Sequence, residues 1–195
     1  KPVHWCTDCA SALAEAEVEY EDKPSLAIDV QFDCVNPEEI EKIFGVKEVD
    51  KASAIIWTTT PWTLPANEAI SVNPKFQYGL YKCKNNFLIL ADELADIKFK
   101  AYDLSATKVA TCNGSDLEGV LFSHPFIEKT VPIICGDHVT TETGTGLVHT
   151  APAHGLDDYI VGIKYNLPVE NPVDAKGKFK NNILYFSGLT VWEAN

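Results

Sequence analysis

Three consecutive hydroxyl side chains stand between an apolar run and a turn that contains two prolines. The run SAIIW is followed by TTTPWTLPAN, which begins at Thr58 and ends at Asn67. If the strand continues to Pro61, Thr58 and Thr60 point to one face and Thr59 to the other. Threonine at a strand end is often explained by β propensity alone. The prolines favour a second interpretation, in which rigidly held hydroxyls, amides and the Asn67 side chain bind an ester or carbonyl substrate.

A second polar segment, GTGLVHTAPAHGLDDY, follows about 80 residues later. It opens with the loop Gly144, Thr145 and Gly146 and continues as a strand with His149 near its end. Glycines let a ligand approach the backbone closely, although one Gly-x-Gly is weak evidence for a site. A single histidine in a strand is more often structural than functional, so His149 is a candidate only together with its neighbours.

The same segment ends in a predicted helix whose first turn carries Asp157 and Asp158. Neighbouring helix residues diverge by about 100°, so only one of these aspartates can face a given pocket. Both could equally cap the helix or complement its dipole. His154, just before the helix, is a further candidate for substrate contact or for a general base.

The start of the chain carries HWCTDC, in which Cys6 and Cys9 have the spacing of half a tetrahedral zinc site. The other four cysteines are isolated, and no second C-x-x-C exists in the sequence. Either the remaining ligands lie outside this chain or the pair is an incidental reduced dithiol.

Composition restricts the possible functions. The 195 residues carry a net charge of −12, every basic residue is lysine, and 46% of residues are hydrophobic. This balance is typical of a soluble globular domain and argues against a surface that grips nucleic acid by itself. Scattered cysteines suit a reducing cytosol, and no apolar run has the length of a membrane span. We interpret the absence of methionine as the mark of a piece of a longer protein.

Known signatures of nucleophilic, nucleotide and metal chemistry are absent from the sequence. It has no G-x-S-x-G, P-loop, dinucleotide fingerprint or H-E-x-x-H. Any hydrolysis would therefore need water as the nucleophile, oriented by polar groups and by the substrate itself.

The pattern of elements favours a mixed α/β fold with a β-barrel-like core of short strands and peripheral helices. Residues 27–35 alternate as a half-buried strand, and a helix should follow from Asn36 to Gly45. Further helices are predicted over 91–99 and 156–165, and short strands in SAIIWTT, EAISV, QYGLYKC, FLIL, KVATC, VPIIC and GLVHT. Many short strands without regular βαβ alternation favour a barrel. Residues 1–24 are predicted to be a connector and 25–195 a single globular domain.

TTTPWTLPAN together with GTGLVHTAPAHGLDDY resembles the editing domain of isoleucyl-tRNA synthetase. The opening KPVHWCTDCASALAEAEVEY also resembles the connector of that domain, so the similarity runs over nearly the whole chain. Thr60 and Trp62 favour the isoleucyl branch over the valyl and leucyl relatives. The resemblance implies the class I synthetase editing-domain fold and the hydrolysis of valyl-tRNA(Ile), or of valyl-adenylate, by water.

The resemblance also implies roles for the site residues. Asp158 would bind the α-ammonium of the substrate, the three threonines would hold the ester and the attacking water, and His149 would exclude a side chain larger than valine. The predicted catalytic residues are Asp158, Thr58, Thr59 and Thr60. The predicted substrate-binding residues are His149, Trp57, Asn67, Gly144, Thr145, Gly146 and His154.

Partners and cofactors follow from the same resemblance. The expected partners are the 3' end of tRNA(Ile) carrying valine, valyl-adenylate and the remainder of a cytoplasmic synthetase, with no membrane. No cofactor is expected for editing; zinc is expected only in the full-length protein, and ATP only for the synthetic domain. Two other hypotheses stay open: a catalytically silent module that recognises the tRNA 3' end or a nucleotide, and a zinc-dependent structural connector.

Overall fold

The computed structural model describes residues 1–22 and 24–195. These residues form two compact units. We call residues 28–58 and 68–150 the barrel unit, and the described residues of 1–27, 59–67 and 151–195 the flanking unit. This division follows packing rather than chain order, so the predicted boundary after residue 24 stays a prediction.

The strands and helices are short. The strands are β1 (Trp5–Cys6), β2 (Ser11–Ala12), β3 (Ile28–Cys34), β4 (Ala52–Thr58), β5 (Ala69–Val72), β6 (Gln77–Cys83), β7 (Asn86–Ala91), β8 (Thr107–Asn113), β9 (Leu121–Ser123), β10 (Thr130–Cys135) and β11 (Leu147–Thr150). The helices are α1 (Pro37–Phe44), α2 (Asp92–Ala101) and α3 (Leu156–Lys164), and 3₁₀ turns span Glu15–Glu17, Pro61–Ala66 and Gly114–Leu117.

Six strands of the barrel unit close on themselves. Their order is β11, β5, β10, β9, β3 and β4, and β4 pairs with β11 again. Strands β7, β6 and β8 continue the sheet outward from β4. The predicted barrel-like core is therefore confirmed, and closure removes the exposed edges that an open sheet would present.

Strand β4 divides one edge between two partners. Its first residues, Ala52 to Ala54, pair in parallel with β7, whereas Trp57 near its end pairs in parallel with Val148 of β11. The opposite edge of β4 pairs with β3 along nearly its whole length. The ring thus closes at the carboxyl end of β4, directly before the three threonines.

The barrel unit holds most of the apolar core. Phe32, Ile56, Ile70 and Ile133, on four of the ring strands, have no exposed surface. Among the described residues, only six buried apolar residues belong to the flanking unit: Leu64, Ala66, Ala151, Val161, Phe179 and Val191. Side chains alternate across each ring strand, so one face of every strand contributes to this core.

Helix α1 begins and ends as its sequence predicts. The Asn36 side chain accepts a hydrogen bond from the Glu38 amide, Pro37 is the first helical residue, and Gly45 adopts a left-handed conformation at the end. Helices α2 and α3 agree with the predicted ranges within two residues. None of the helices that the structure describes is long and apolar enough to cross a membrane.

One detail of the strand prediction is wrong. Strand β4 ends at Thr58 and does not continue to Pro61, because Thr60 already precedes the 3₁₀ turn that Pro61 begins. Strand alternation therefore does not put Thr58 and Thr60 on one face, because Thr59 and Thr60 lie outside the strand. The prediction also missed the three-residue strand β9 and the hairpin of β1 and β2.

Candidate functional site

The predicted site residues divide between the two units, and each group is described within its own unit. In the barrel unit, Thr58 and His149 lie on the same face of neighbouring parallel strands. This follows from the pairing of Trp57 with Val148, the residues that immediately precede them. Both side chains are buried. The sheet thus brings together two residues that are far apart in the sequence.

His149 is held by the strand pair of β11 and β5. It lies opposite Ile70, and the next pair is Thr150 opposite Ala69. On the other face of the pair, the hydroxyls of Ser71 and Thr150 lie 2.6 Å apart, with neither residue exposed. A side chain on such a ladder has little freedom to move, which suits a wall that discriminates by size.

The glycines at 144 and 146 make room for the protein's own side chains. A Cβ added to Gly144 would lie 2.8 Å from Cδ2 of Trp57, and one added to Gly146 would overlap the Ala91 side chain. Both glycines have positive φ angles, of 81° and 78°. Packing of the loop against Trp57 and Ala91 is thus one reason for these glycines, and close approach of a ligand stays a prediction.

Thr145, between the two glycines, is also structural in its contacts. It has no exposed surface, its hydroxyl donates to the Leu147 carbonyl at 3.1 Å, and its own carbonyl accepts from the Ala91 amide at 2.9 Å. These bonds fix the loop that leads into β11. The observed contacts of Thr145 position the loop, and its role as a substrate-binding residue stays a prediction.

In the flanking unit, Thr59 and Thr60 are exposed and lie in the turn after β4. The Thr59 carbonyl accepts a hydrogen bond of 2.9 Å from the Ser25 hydroxyl. The Thr63 hydroxyl donates to the Thr60 carbonyl at 2.8 Å, and the two threonine hydroxyls lie 3.5 Å apart. The proline-led turn thus holds a second hydroxyl beside Thr60, as rigid preorganisation requires.

Asn67 ends the same 3₁₀ turn. Its amide donates to the Leu64 carbonyl at 3.0 Å, and the residue is fully buried. The turn therefore fixes the Asn67 backbone, and its support of a substrate pocket stays a prediction.

Asp158 lies in the first turn of α3, and its carboxylate turns back along the chain. Oδ2 accepts a hydrogen bond of 2.8 Å from the Ala151 amide, which precedes the helix. The N-cap of the helix is Gly155, which has no side chain to cap it. Asp158 is half-buried whereas Asp157 is exposed, which agrees with the prediction that the two aspartates diverge. The hydrogen bond from Ala151 orients the Asp158 carboxylate, and its place in the first turn also suits the positive end of the helix dipole.

His154 is enclosed by apolar surroundings in the flanking unit. Its ring packs edge-on against Trp62 with 4.9 Å between ring centres, and its Nε2 atom is buried without a hydrogen-bond partner. Burial lowers the pKa of His154 to about 4, because the charged imidazolium loses its hydration. It borders two cavities within this unit, of about 590 Å³ and about 430 Å³. A histidine that is neutral above pH 4 is a weak general base.

Cys6 and Cys9 lie in the β1–β2 hairpin. The Cys9 amide points to the Cys6 sulfur at 3.5 Å, and hydrogen bonding from Cys9 lowers the pKa of the Cys6 thiol. Within the described residues, no group of three or more histidine, cysteine, aspartate or glutamate side chains could hold a metal ion. Among the described residues, no cysteine forms a disulfide bond.

Two positioning residues escaped the sequence analysis. Thr63 could have been found, because it stands three residues after Thr60 in a turn that proline begins. Tyr78 could not, because its hydroxyl bonds the Gly146 carbonyl from a strand that is remote in the sequence.

Known proteins resemble this chain in sequence over its full length. The family described as "Leucyl-tRNA synthetase, editing domain" matches residues 40–187. The isoleucine–tRNA ligase of Nitrosomonas europaea is 51% identical over 201 residues, which cover all of this chain and 21% of that relative. The corresponding ligase of Dechloromonas aromatica is 55% identical over 204 residues, which cover all of this chain and 22% of that relative.

Known structures resemble it in fold. The crystal structure of the P. falciparum cytosolic leucyl-tRNA synthetase editing domain superimposes with a TM-score of 0.58 at 12% identity, covering 72% of this chain and 66% of that one. The chain spans only about a fifth of the length of its curated relatives. By the family match over residues 40–187, the chain belongs to the family of leucyl-tRNA synthetase editing domains, and along its full length it is similar to bacterial isoleucine–tRNA ligases.

Proposed function

We propose that this domain hydrolyses valyl-tRNA(Ile), or valyl-adenylate, as the editing domain of an isoleucine–tRNA ligase. The observation that carries the proposal is the Asp158 carboxylate. It is half-buried, and its Oδ2 atom accepts a hydrogen bond of 2.8 Å from the Ala151 amide, which fixes the direction of the carboxylate. A fixed carboxylate is the natural charge-assisted partner for the α-ammonium that every aminoacyl ester carries.

The remaining roles follow from residue chemistry. Thr58, Thr59 and Thr60 supply hydroxyls and amides for the ester carbonyl and the attacking water, with Asn67 as support. His149 limits the size of the substrate side chain, because a buried ring on a strand ladder yields little to one extra methylene. Isoleucyl-tRNA synthetases are a well-known example of discrimination by a second site that excludes the larger amino acid. In this domain, His149 would provide that exclusion.

Water serves as the nucleophile in this proposal. His154 is a poor candidate for a general base, since burial lowers its pKa to about 4. Asp158 would be engaged by the ammonium. We therefore propose that a neighbouring ribose hydroxyl of the terminal adenosine assists the attack. It accepts a hydrogen bond from the water and relays a proton to the ribose oxygen that leaves as a hydroxyl, while the water oxygen bonds to the carbonyl carbon. Full-rate hydrolysis of a substrate that ends in 2'- or 3'-deoxyadenosine would contradict this assignment.

The experiment that tests the function compares two esters and three variants. Deacylation of valyl-tRNA(Ile) and isoleucyl-tRNA(Ile) is measured for the full-length ligase that carries this domain, with Asp158→Asn, Asp157→Asn and His149→Ala. Asp158→Asn should lower kcat/KM for the valyl ester about 100-fold, as expected when a transition-state contact is lost. Asp157→Asn, an exposed neighbour in the same turn, is the matched control and should be nearly neutral. His149→Ala should raise hydrolysis of the isoleucyl ester.

The same assay separates this proposal from a silent recognition module. A module that only binds the tRNA 3' end would give no hydrolysis in the wild type and no effect of Asp158→Asn. The presence of Thr58, Thr59, Thr60, His149 and Asp158 together favours the hydrolase.

The net charge of the domain determines how strongly it should bind tRNA by itself. With a net charge of −12, the domain should bind tRNA weakly on its own, and the remainder of a cytoplasmic ligase would supply most phosphate contacts. We also propose that Cys6 and Cys9 form half of a zinc site whose other ligands lie outside this chain, with no role in editing. Zinc bound stoichiometrically by residues 1–195 alone would contradict this.

A further inference from the structure

The hydroxyl of Tyr78 bridges two segments of the barrel unit. Tyr78 lies on β6, a strand outside the closed ring, and has no exposed surface. Its hydroxyl donates to the Gly146 carbonyl at 2.7 Å and accepts from the Asn73 amide at 2.9 Å. Both bonding directions of the hydroxyl are therefore used inside the protein.

These two bonds lie where the ladder between β5 and β11 ends. The last pair of that ladder is Val72 opposite Leu147, so one further step would place Asn73 opposite Gly146. The Tyr78 hydroxyl connects this next pair, and it thereby fixes the point at which the two strands separate. Burial raises the pKa of Tyr78, so the hydroxyl keeps its proton and continues to donate.

Strand β11 is supported unequally on its two edges. All four of its residues pair with β5, but it pairs with β4 only at Val148, so the bond from Tyr78 adds support at its start. His149 is its third residue, so an axial displacement at Gly146 carries directly to the histidine. Shifts along a strand are costly to side-chain placement, because a slip of one residue moves every side chain to the other face.

We propose that Tyr78 is a positioning residue that sets the location of His149, and through it the discrimination between valyl and isoleucyl esters. This inference rests on the proposed editing function. Tyr78 itself would contact neither substrate.

The test compares two tyrosines of the same strand. Tyr78→Phe removes the bridging hydroxyl. Tyr81→Phe, the matched control, removes a hydroxyl that donates to Asp92 Oδ1 at the same distance of 2.7 Å. In the full-length ligase, kcat/KM is measured for valyl-tRNA(Ile) and isoleucyl-tRNA(Ile). The ratio of kcat/KM for the valyl ester to that for the isoleucyl ester should fall about tenfold for Tyr78→Phe, because small misplacements of site groups cost up to 10²-fold. The ratio should be unchanged for Tyr81→Phe.

Two further variants keep the test decisive. 4-Aminophenylalanine at position 78 restores a donor to the Gly146 carbonyl and should recover most of the ratio. Thr145→Val loosens the same loop by removing the contact of its hydroxyl with Leu147. This variant replaces Tyr78→Phe in the test if Tyr78→Phe does not fold. The ratio should fall there as well.

The outcomes distinguish this inference from the proposed function. A wild-type ligase that does not hydrolyse the valyl ester overturns the proposed function. If the wild type is active, a folded Tyr78→Phe variant with the same valyl-to-isoleucyl ratio of kcat/KM as Tyr81→Phe overturns only the role of Tyr78. If Tyr78→Phe does not fold, an unchanged ratio in Thr145→Val overturns that role.

Discussion

The barrel unit and the flanking unit differ in where they keep their large apolar side chains. Among the described residues, the barrel unit exposes only Val35, Ile97, Val109 and Leu121, although it contains nearly all of the buried core. The flanking unit exposes many more, including Tyr20, Leu156, Ile160, Ile163 and Trp192. Burial of apolar area is the main source of stability, so the barrel unit should be the stiffer of the two.

The proposed roles follow the same contrast. His149, assigned to size discrimination, lies on a ladder between two strands, whereas Asp158, assigned to the ammonium, is held by the first turn of a helix and one backbone amide. The residue that must refuse a single methylene thus lies on the more rigid support. A charged contact tolerates more freedom, because it acts over a longer range than steric overlap.

Removing one isoleucine from each unit tests the contrast most strongly. Ile133 in the barrel unit is fully buried, and Ile160 in the flanking unit is 61% exposed. Ile133→Ala should lower the free energy of unfolding by about 4 kcal/mol through lost burial and a cavity. Ile160→Ala should change it by less than about 0.5 kcal/mol. Urea unfolding measures both, and equal losses would show that the two units do not differ in this way.

Two glycines test how tightly the barrel unit is packed next to the site. Gly144→Ala would put its Cβ 2.8 Å from the Trp57 ring at a φ of 81°. Gly119→Ala has a similar φ of 87° but nothing within 4 Å, so it isolates the backbone strain. We expect losses of about 3 kcal/mol at Gly144, from strain plus overpacking, and about 1 kcal/mol at Gly119. Thermal unfolding gives the difference, and similar values would mean that Trp57 moves aside easily.

The pH dependence of the free energy of unfolding tests the flanking unit through His154. The pKa of His154 is about 4 in the folded protein, against an ordinary value of 6.5. As the pH falls through 6.5, the unfolded chain binds a proton that the folded protein takes up only near pH 4. The stabilisation is therefore present above pH 6.5 and is lost as the pH falls.

Between about pH 7.5 and about pH 5 this loss should amount to at most about 2 kcal/mol. Urea titrations at several pH values measure it, and His154→Gln should remove this part of the slope. An unchanged slope in the variant would mean that His154 is hydrated in the folded protein.

Much of the fold could be predicted, because local patterns govern it. The alternation in residues 27–35 and the Asn36–Pro37–Gly45 signals of α1 act within a few residues, and the structure confirms both. The end of β4 could not be placed, since threonine suits a strand and a turn equally; the strand ends at Thr58, before the 3₁₀ turn that Pro61 begins. Strand β9 has only three residues and carries too little pattern to be recognised.

The places of the candidate residues in the fold could be predicted from the sequence, whereas the contacts that hold these residues could not. The polar segments around Thr58 and His149 pointed to two strand ends, and the sheet pairs those strands side by side. The packing of Gly144 on Trp57 and the bond from Tyr78 to Gly146 could not be predicted. Both join positions that are distant in the chain, and no local propensity encodes such contacts.

The divided edge of β4 has a consequence for the order of folding. The hairpin of β6 and β7 joins neighbouring residues and should form quickly, whereas the contact of Trp57 with Val148 joins chain positions 57 and 148. Contacts of large sequence separation form slowly, because the loop entropy must be overcome first. Closure of the ring should therefore come late, and the indole at position 57 lies where its fluorescence would report that event.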